Sequence, residues 1–271
     1  MGVGYTTIMY DATDIDRALR DIAACRYDGA EIGLEKVRAT GFDTVGQLLE
    51  QNGLDLYCVM SEWLETEAAV DRVIADVPDV ADLGAEYLGL LPPQRGRVAD
   101  ETVQRWFTRL TEAAIDAGVT PLVHHHGATH IENAAETREL LDAVDGLELL
   151  WDTAHYYPYG EHFPEGDVTD GIERFSEDIA YVHLKDVAPP TGFAEVRDSL
   201  TEGDFHLDHV INYFRSFTDL GEGILDFAAV HDALADIGYD GHCTIEIENQ
   251  TEKALVHAME NYEHWQQITA E

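Results

Sequence analysis

Eight short apolar runs alternate along the chain with longer stretches in which apolar residues recur every three or four positions. Runs of this length, bounded by turn residues, predict β-strands, and the longer recurrence predicts amphipathic helices. The predicted strands are residues 2–9, 29–34, 54–60, 86–91, 120–126, 147–152, 179–186 and 242–248.

The stretch from Glu101 to Gly118 shows the helical pattern clearly. Its apolar positions share one face: Val103, Trp106, Phe107, Leu110, Ala113 and Ala114. We expect Asp100 to cap the start of this helix and Gly118 to end it.

Eight strand–helix units over about 250 residues predict an α/β fold, a (β/α)8 TIM barrel. No linker rich in Pro, Gly or Ser interrupts the chain. We therefore expect a single domain over residues 1–271.

The barrel predicts where chemistry would occur, because catalytic groups of this fold lie at the carboxyl ends of the strands. Polar residues gather at the ends of strands five to eight: His124, His126, Asp152, His155, His183, Lys185, Glu246 and Glu248. Residues i and i+2 of a strand share a face, so inward-facing ends would converge. The converging set is His124, Asp152, His183 and Glu246. Such a mixture of nitrogen and oxygen ligands suits one divalent metal ion: Mn, Co, Mg or Zn.

Three consecutive histidines follow Val123 in the fifth strand. By alternation, His124 and His126 face inward, whereas His125 faces the helices. We expect His124 to be a metal ligand or a substrate contact and His126 to contact the substrate. His125 is expected to have a structural role.

Charge restricts the partners. The chain has 54 acidic against 16 basic residues and a formal net charge of −38. Such a surface repels nucleic acid and anionic membranes, because phosphate binding needs a positive face. The acids are spread along the whole chain, as expected for a halophilic cytoplasm in which high salt screens self-repulsion.

Cysteine usage and hydropathy indicate a compartment. Cys25, Cys58 and Cys243 are far apart and follow no disulfide or metal-binding pattern. The sequence has no charged start followed by an apolar run and no apolar stretch of 18 residues. We therefore expect a cytoplasmic protein without a signal peptide or a membrane span.

Four motifs follow one another in a characteristic order. They are HHHGATHIE (124–132), DTAH (152–155), HLKD (183–186) and GYDG (238–241). In this order and spacing they resemble the xylose-isomerase-like TIM barrel superfamily of sugar isomerases, epimerases and sugar dehydratases. The inosose dehydratase branch is the most similar, and the resemblance spans nearly the whole chain.

The resemblance implies that Asp152, His183 and Glu246 are metal ligands. It also exposes a departure, because the wider family has a glutamate ligand at the end of strand five, where this chain has His124. Either His124 is the fourth ligand, or Glu132 replaces it, or the metal is held more weakly. Glu132 is also a candidate for contacting the substrate.

Further residues are candidates for catalysis or substrate binding. Lys185 is one of only three lysines and is expected to neutralise a developing oxyanion or act as an acid. His155 and Glu248 are further catalytic candidates. Glu31 resembles a substrate-side glutamate of the family, or is an inert strand acid. Trp63 either walls a sugar pocket or packs in the core.

These candidate residues predict chemistry at a substrate carbonyl group. A divalent ion polarises a substrate carbonyl, a carboxylate or histidine removes the neighbouring proton, and the metal and Lys185 stabilise the enediolate. We therefore expect an isomerase, an epimerase or a dehydratase (a lyase) acting on a small sugar, keto-sugar or inosose. The sequence does not specify the substrate, the metal or the oligomeric state, and it is compatible with a homo-oligomer.

Two other functions remain as alternatives. A non-catalytic sugar-binding barrel is favoured by the missing strand-five glutamate. A phosphodiesterase of the AP-endonuclease type shares the barrel, but it would need more ligands for several zinc ions and a positive face for DNA. The net charge of −38 argues against it.

The acidic composition predicts that stability rises with salt. Carboxylate repulsion is screened over about 3 Å in 1 M salt, against about 10 Å in 0.1 M salt. We expect the melting temperature, measured by circular dichroism, to rise from dilute buffer to molar KCl. A flat or falling melting temperature would contradict the halophilic interpretation.

Overall fold

Eight parallel strands close into a barrel in which each strand pairs with its neighbours in sequence. The computed structural model describes residues 2–249 and 252–270. The strands are β1 (Val3–Thr6), β2 (Gly29–Gly33), β3 (Asp55–Met60), β4 (Tyr87–Leu90), β5 (Thr120–His124), β6 (Glu148–Asp152), β7 (Ile179–Leu184) and β8 (His242–Ile245). β8 pairs with both β7 and β1, which closes the ring. The predicted (β/α)8 fold is confirmed.

Helices cover the outside of the barrel. They are α1 (Ile15–Ala24), α2 (Leu34–Thr40), α3 (Phe42–Asn52), α4 (Glu67–Asp82), α5 (Asp100–Ala117), α6 (Ala134–Ala143), α7 (Thr153–Tyr156), α8 (Thr169–Arg174), α9 (Phe193–Thr201), α10 (Leu207–Phe214), α11 (Phe227–Asp236) and α12 (Ala254–Thr269). After β7, a short antiparallel ribbon pairs Asp186–Val187 with Phe217–Thr218. Within the described ranges, none of the helices is long and apolar enough to cross a bilayer.

Helix α5 illustrates how the sequence pattern becomes packing. The apolar face is buried through Val103, Trp106, Phe107, Leu110 and Ala114. The helix ends at Gly118, whose φ of 82° is left-handed and favours glycine, as predicted. The expected cap was wrong, because Ala99 occupies the N-cap position without a side-chain hydrogen bond. Asp100 is the first helical residue, and its carboxylate instead lies 3.1 Å from Nδ1 of His130.

Several strands end earlier than the apolar pattern predicted. β5 ends at His124 rather than residue 126, and β8 ends at Ile245 rather than residue 248. The backbone leaves the ladder here because its hydrogen bonds turn to the loops, as when the His126 N–H donates to the Ile131 carbonyl over 2.8 Å. His126 and Glu248 therefore lie in loops, where strand alternation no longer determines their direction.

The barrel interior is apolar below its carboxyl end. A buried cluster fills it, comprising Tyr57, Cys58, Met60, Tyr87, Leu122, Leu150 and Tyr181. A TIM barrel is a packed core rather than a pore. Polar chemistry inside the barrel is therefore confined to the mouth, on top of a floor that excludes water.

Candidate active site

The carboxyl ends of the strands bring five chemically reactive side chains together at the barrel mouth. They are Glu31 from β2, His124 from β5, Asp152 from β6, His183 from β7 and Glu246 just beyond β8. Each is at most 6% exposed to solvent. Charged groups this deeply buried need partners, so their contacts determine what the site can do.

His183 lies among three of the carboxylates. Its Nε2 is 2.7 Å from Oε2 of Glu31, and its Nδ1 is 3.3 Å from Oε2 of Glu246. Asp152 Oδ2 lies 3.7 Å from the same Nδ1. Burial alone would lower the pKa of His183, but the charges of Glu31 and Glu246 hold it well above its usual range. Glu31 thereby holds one ring nitrogen, and the other faces Asp152 and Glu246.

Asp152 uses its two oxygens differently. Oδ1 caps helix α7 by accepting from the N–H groups of Ala154 and His155, over 2.8 and 2.9 Å. Oδ2 points to the site, 3.5 Å from Nε2 of His124 and 3.2 Å from Nζ of Lys185. Burial would raise the pKa of Asp152, but the Lys185 ammonium holds it well below its usual range. Capping and site chemistry are thus combined in one side chain.

Lys185 is fully buried and supplies the cation at the centre of the mouth. Its Nζ contacts carboxylate oxygens of Asp152, Glu246 and Glu248, and lies 3.3 Å from Nε2 of His155. Burial would lower the pKa of Lys185, but the three carboxylates hold it well above its usual range. The lysine is therefore charged, and it stabilises the carboxylates around it.

Three carboxylates nevertheless share one lysine. Burial raises the pKa of Glu248 to about 7, although Lys185 acts in the opposite direction. Repulsion from the neighbouring Glu246 carboxylate acts in the same direction as burial. An excess of buried carboxylates of this kind attracts a further cation.

Five polar atoms at the mouth are buried without a hydrogen bond of acceptable geometry, although Lys185 lies close to two of them. They are Nδ1 and Nε2 of His124, Oδ2 of Asp152, Nδ1 of His183 and Oε2 of Glu246. Buried polar atoms normally find hydrogen-bond partners, so a cluster of unbonded ones requires an explanation. These four side chains are the predicted ligand set.

The ligand atoms fall into two neighbouring groups. His124 and Asp152 group with His155, whereas His183 and Glu246 group with Glu31. Within each group, the candidate ligand atoms lie within 4.8 Å of one another. The two groups meet where Asp152 Oδ2 approaches His183 Nδ1 at 3.7 Å. The residues present therefore fit a divalent metal ion.

The three consecutive histidines point to different surroundings. His124 faces Asp152 at the mouth. His125 is buried away from it, where its Nε2 accepts from the Asp152 N–H over 2.9 Å and its ring meets Tyr156 edge to face. His126 packs its ring 3.7 Å from that of His155, measured between centroids, and lines the cavity described next.

A cavity of about 350 Å³ opens above the reactive residues. Its lining includes six predicted site residues: Glu31, Trp63, His124, His126, Glu246 and Glu248. Asp152, His155, His183 and Lys185 are fully buried and lie outside the lining. The volume is in the range of small-molecule sites.

Glu132 is the predicted site residue that this arrangement leaves out. Its carboxylate pairs with Arg95, 2.9 Å from Nη2, and accepts from the Ala128 N–H over 2.9 Å. It belongs to neither group of candidate ligands and does not line the cavity. Here Glu132 stabilises the loop after β5, which carries His126.

Two residues of the site did not emerge from sequence reasoning. The hydroxyl of Tyr213 lies 3.0 Å from Nδ1 of His155 and orients that ring. Lys36 lines the cavity and donates to the carbonyls of Thr7 and Tyr10, which holds the loop after β1. The scarcity of lysine was a usable signal for Lys36, whereas the sequence around Tyr213 contains no signal that it belongs to the site.

The chain is similar to known proteins over most of its length. The model of the family described as "Xylose isomerase-like TIM barrel" matches residues 17–267. The chain belongs to the xylose isomerase-like TIM barrel family.

Named relatives and solved structures are similar to this chain over most of its length. An inosose dehydratase from Lacticaseibacillus casei is 27% identical over 262 residues, which cover 88% of this chain and 84% of that protein. The IolI protein, crystallised with a bound zinc atom, has a TM-score of 0.72 at 16% identity and covers 100% of this chain and 97% of its own. The D-allulose 3-epimerase from Methylomonas sp. in complex with D-allulose has a TM-score of 0.72 at 16% identity, covering 98% and 96%.

Asp152 provides a test that separates its two oxygens. Asparagine retains an oxygen that can cap α7, so Asp152→Asn should unfold at nearly the same temperature as the parent. It loses the charge at the site, and its metal affinity should fall more than about a hundredfold, because even residues that only orient ligands change affinity about 10–100-fold. Isothermal titration with Mn²⁺ and a thermal melt measure both. Unchanged Mn²⁺ affinity would remove Asp152 from the ligand set.

The neighbouring histidines provide a second test. His125→Ala leaves the buried Asp152 N–H without its acceptor and should destabilise the fold by about 1–3 kcal/mol. His126→Ala should impair turnover while metal stoichiometry and melting temperature stay near those of the parent. Thermal melts and metal analysis on both variants check this. Loss of metal from the His125→Ala variant alone would show that the assigned directions of the two side chains are reversed.

Proposed function

We propose that this chain is a divalent-metal-dependent enzyme that isomerises, epimerises or dehydrates a keto-sugar or an inosose. The observation that carries the proposal is the set of buried, unbonded polar atoms at the mouth, next to a cavity of about 350 Å³. The inosose dehydratase and epimerase names among its relatives support these reaction classes.

The metal would be held by His124, Asp152, His183 and Glu246, with Mn, Co, Mg or Zn as candidates. His124 would take the place of the strand-five glutamate, since burial lowers its pKa and keeps its imidazole neutral, as a ligand must be. When bound, a divalent ion supplies Lewis-acid polarisation of a substrate carbonyl. Glu31 would orient His183 through their 2.7 Å contact.

Proton transfer would be carried out by the carboxylates that line the cavity. Glu31 and Glu248 both face it, and each is held by a different partner, the His183 ring and the Lys185 ammonium. One of the two carboxylates removes the proton next to the carbonyl. The other, in its protonated form, returns a proton to carbon or protonates a departing hydroxyl. A carboxyl whose pKa is about 7, as at Glu248, can do either near neutral pH.

Lys185 and His155 lie below the cavity lining and would act through their neighbours, since Lys185 holds the Glu246 and Glu248 carboxylates that line the cavity. The Lys185 ammonium is buried and fixed by its contacts, so little reorganisation is needed during the reaction. Burial holds the pKa of His155 well below its usual range, and its ring is therefore neutral. Tyr213 orients it from the opposite side.

The proposal also concerns partners and location. The substrate is a small neutral molecule, and nucleic acid is disfavoured as a partner because the net charge is −38. We place the enzyme in a salt-rich cytoplasm on the basis of its acidic composition.

Hydrogen exchange at carbon tests the proposal without prior choice of the reaction. Protein purified without added metal is assayed for bound metal, and scyllo-inosose and a panel of keto-sugars are then incubated with it in D2O, with Mn²⁺, Co²⁺ or EDTA. We expect about one ion per chain, and deuterium next to the carbonyl in the NMR spectrum of at least one substrate. EDTA should abolish this exchange.

Two variants and a control sharpen the result. Glu246→Gln should lose metal, and Glu248→Gln should retain metal but lose exchange. His162→Ala, at an exposed histidine outside the cavity, should behave like the parent. Metal binding with no exchange on any substrate would indicate a sugar-binding barrel instead of an enzyme. Full exchange in the Glu246→Gln variant would refute the proposed metal site.

A further inference from the structure

A second cavity adjoins the first. Its volume is about 270 Å³, and it shares Trp63, His126 and Phe214 with the cavity above the reactive residues. The shared residues form the boundary between the two. A ligand whose reactive end occupies the first cavity can therefore extend into the second, which we call the outer lobe.

The outer lobe differs chemically from the reactive cavity. Its apolar lining comes from Trp63, Phe205, Val210 and Phe214, and residues 127–129, Glu65, Gln94 and His126 complete it. The reactive cavity instead contains Glu31, Lys36, Glu246 and Glu248. The charged groups of the reactive cavity thus lie next to a more apolar lobe, which fits a molecule with a polyol end and an apolar end.

Charge further restricts what the outer lobe can bind. Among its described lining residues there is no lysine or arginine, and Glu65 is one of them. The whole chain carries a net charge of −38. A phosphate or carboxylate substituent would be repelled without a partner, so the group that fits is neutral.

The apolar surface continues onto the rim. Trp63 is 41% exposed, and Leu207, at the start of α10, is 72% exposed. Trp63 meets the ring of His126 edge to face, at 5.0 Å between centroids. Large apolar side chains exposed beside a cavity mark a binding surface, and aromatic rings are typical contacts of flat or apolar groups.

We propose that the outer lobe binds a neutral apolar substituent on the substrate, so that the substrate is a conjugate, such as a keto-glycoside or a keto-inositol ether, in preference to the free sugar. This inference rests on the proposed function, since it names the substrate class of the same site. The occupant is the substituent because the lobe adjoins the reactive cavity and shares three of its lining residues.

Unreactive probes test the lobe separately from catalysis. Methyl β-D-glucoside and phenyl β-D-glucoside share their sugar and differ in the substituent. Binding to the Mn²⁺-loaded protein is measured by calorimetry. We expect the phenyl probe to bind about tenfold more tightly, because the lobe buries its ring. Equal affinity for both probes in the parent protein would overturn the proposal.

Variants locate the effect. Val210→Asp adds a charge to the lobe and should remove the preference for the phenyl probe. Phe205→Ala adds no charge and is a milder change, and it should also remove the preference. It tests the proposal if the Val210→Asp variant does not fold. Ile115→Asp is the matched control, since Ile115 is an exposed apolar residue outside both cavities. It should retain the preference. A preference that survives in both lobe variants would also overturn the proposal.

Failure of the lobe and failure of the proposed function give different results. Deuterium exchange into free scyllo-inosose or into a keto-glycoside reports the function, and the ratio of the two probe affinities reports the lobe. Exchange without a phenyl preference refutes the lobe alone, and a phenyl preference without exchange refutes the function alone. If Val210→Asp changes only the mass in solution, measured by light scattering, the lobe is an interface between two copies and the proposal is wrong.

Discussion

The arrangement of the barrel mouth depends on an excess of buried negative charge around one lysine. Asp152, Glu246 and Glu248 share the ammonium of Lys185, and Glu31 lies beside them on the ring of His183. Buried carboxylates are unstable without partners, so the lysine, the ring of His183 and any bound cation compete for the same oxygens. This competition explains why strongly shifted pKa values and unbonded ligand atoms occur in the same small volume.

The scaffold holds these charges in place by separating two layers. An apolar plug below the mouth keeps water out of the barrel, and the strand ends fix the backbone of each reactive residue. Asp186 contributes from outside the site. Its carboxylate accepts from the N–H groups of Val187, Gly221, Gly223 and Leu225, which anchors the segment after β7 beside Lys185. The HLKD motif thus combines two reactive residues with an anchor.

Charge and apolar surface have different roles on this molecule. The acidic exterior discourages anionic partners, whereas the rim of the cavity exposes Trp63 and Leu207. A neutral, partly apolar ligand is the class of molecule that both properties admit. The segments that carry His126 and Phe214, the loop after β5 and the end of α10, line both cavities at this entrance. Changes in these segments would therefore alter selectivity without moving the strand ends.

The sequence alone determined the fold and the strand ends at which the reactive groups lie. Periodicity identifies strands and helices, and in parallel strands the carboxyl ends share one rim, so His124 and His183 could be placed at the mouth. The tertiary structure decided the contacts between residues far apart in the chain. Tyr213 reaches His155, and Glu132 turns to Arg95 instead of the cavity. Such contacts follow from the curvature of the barrel and from hydrogen bonds within the loops, which have no period that a sequence pattern could show.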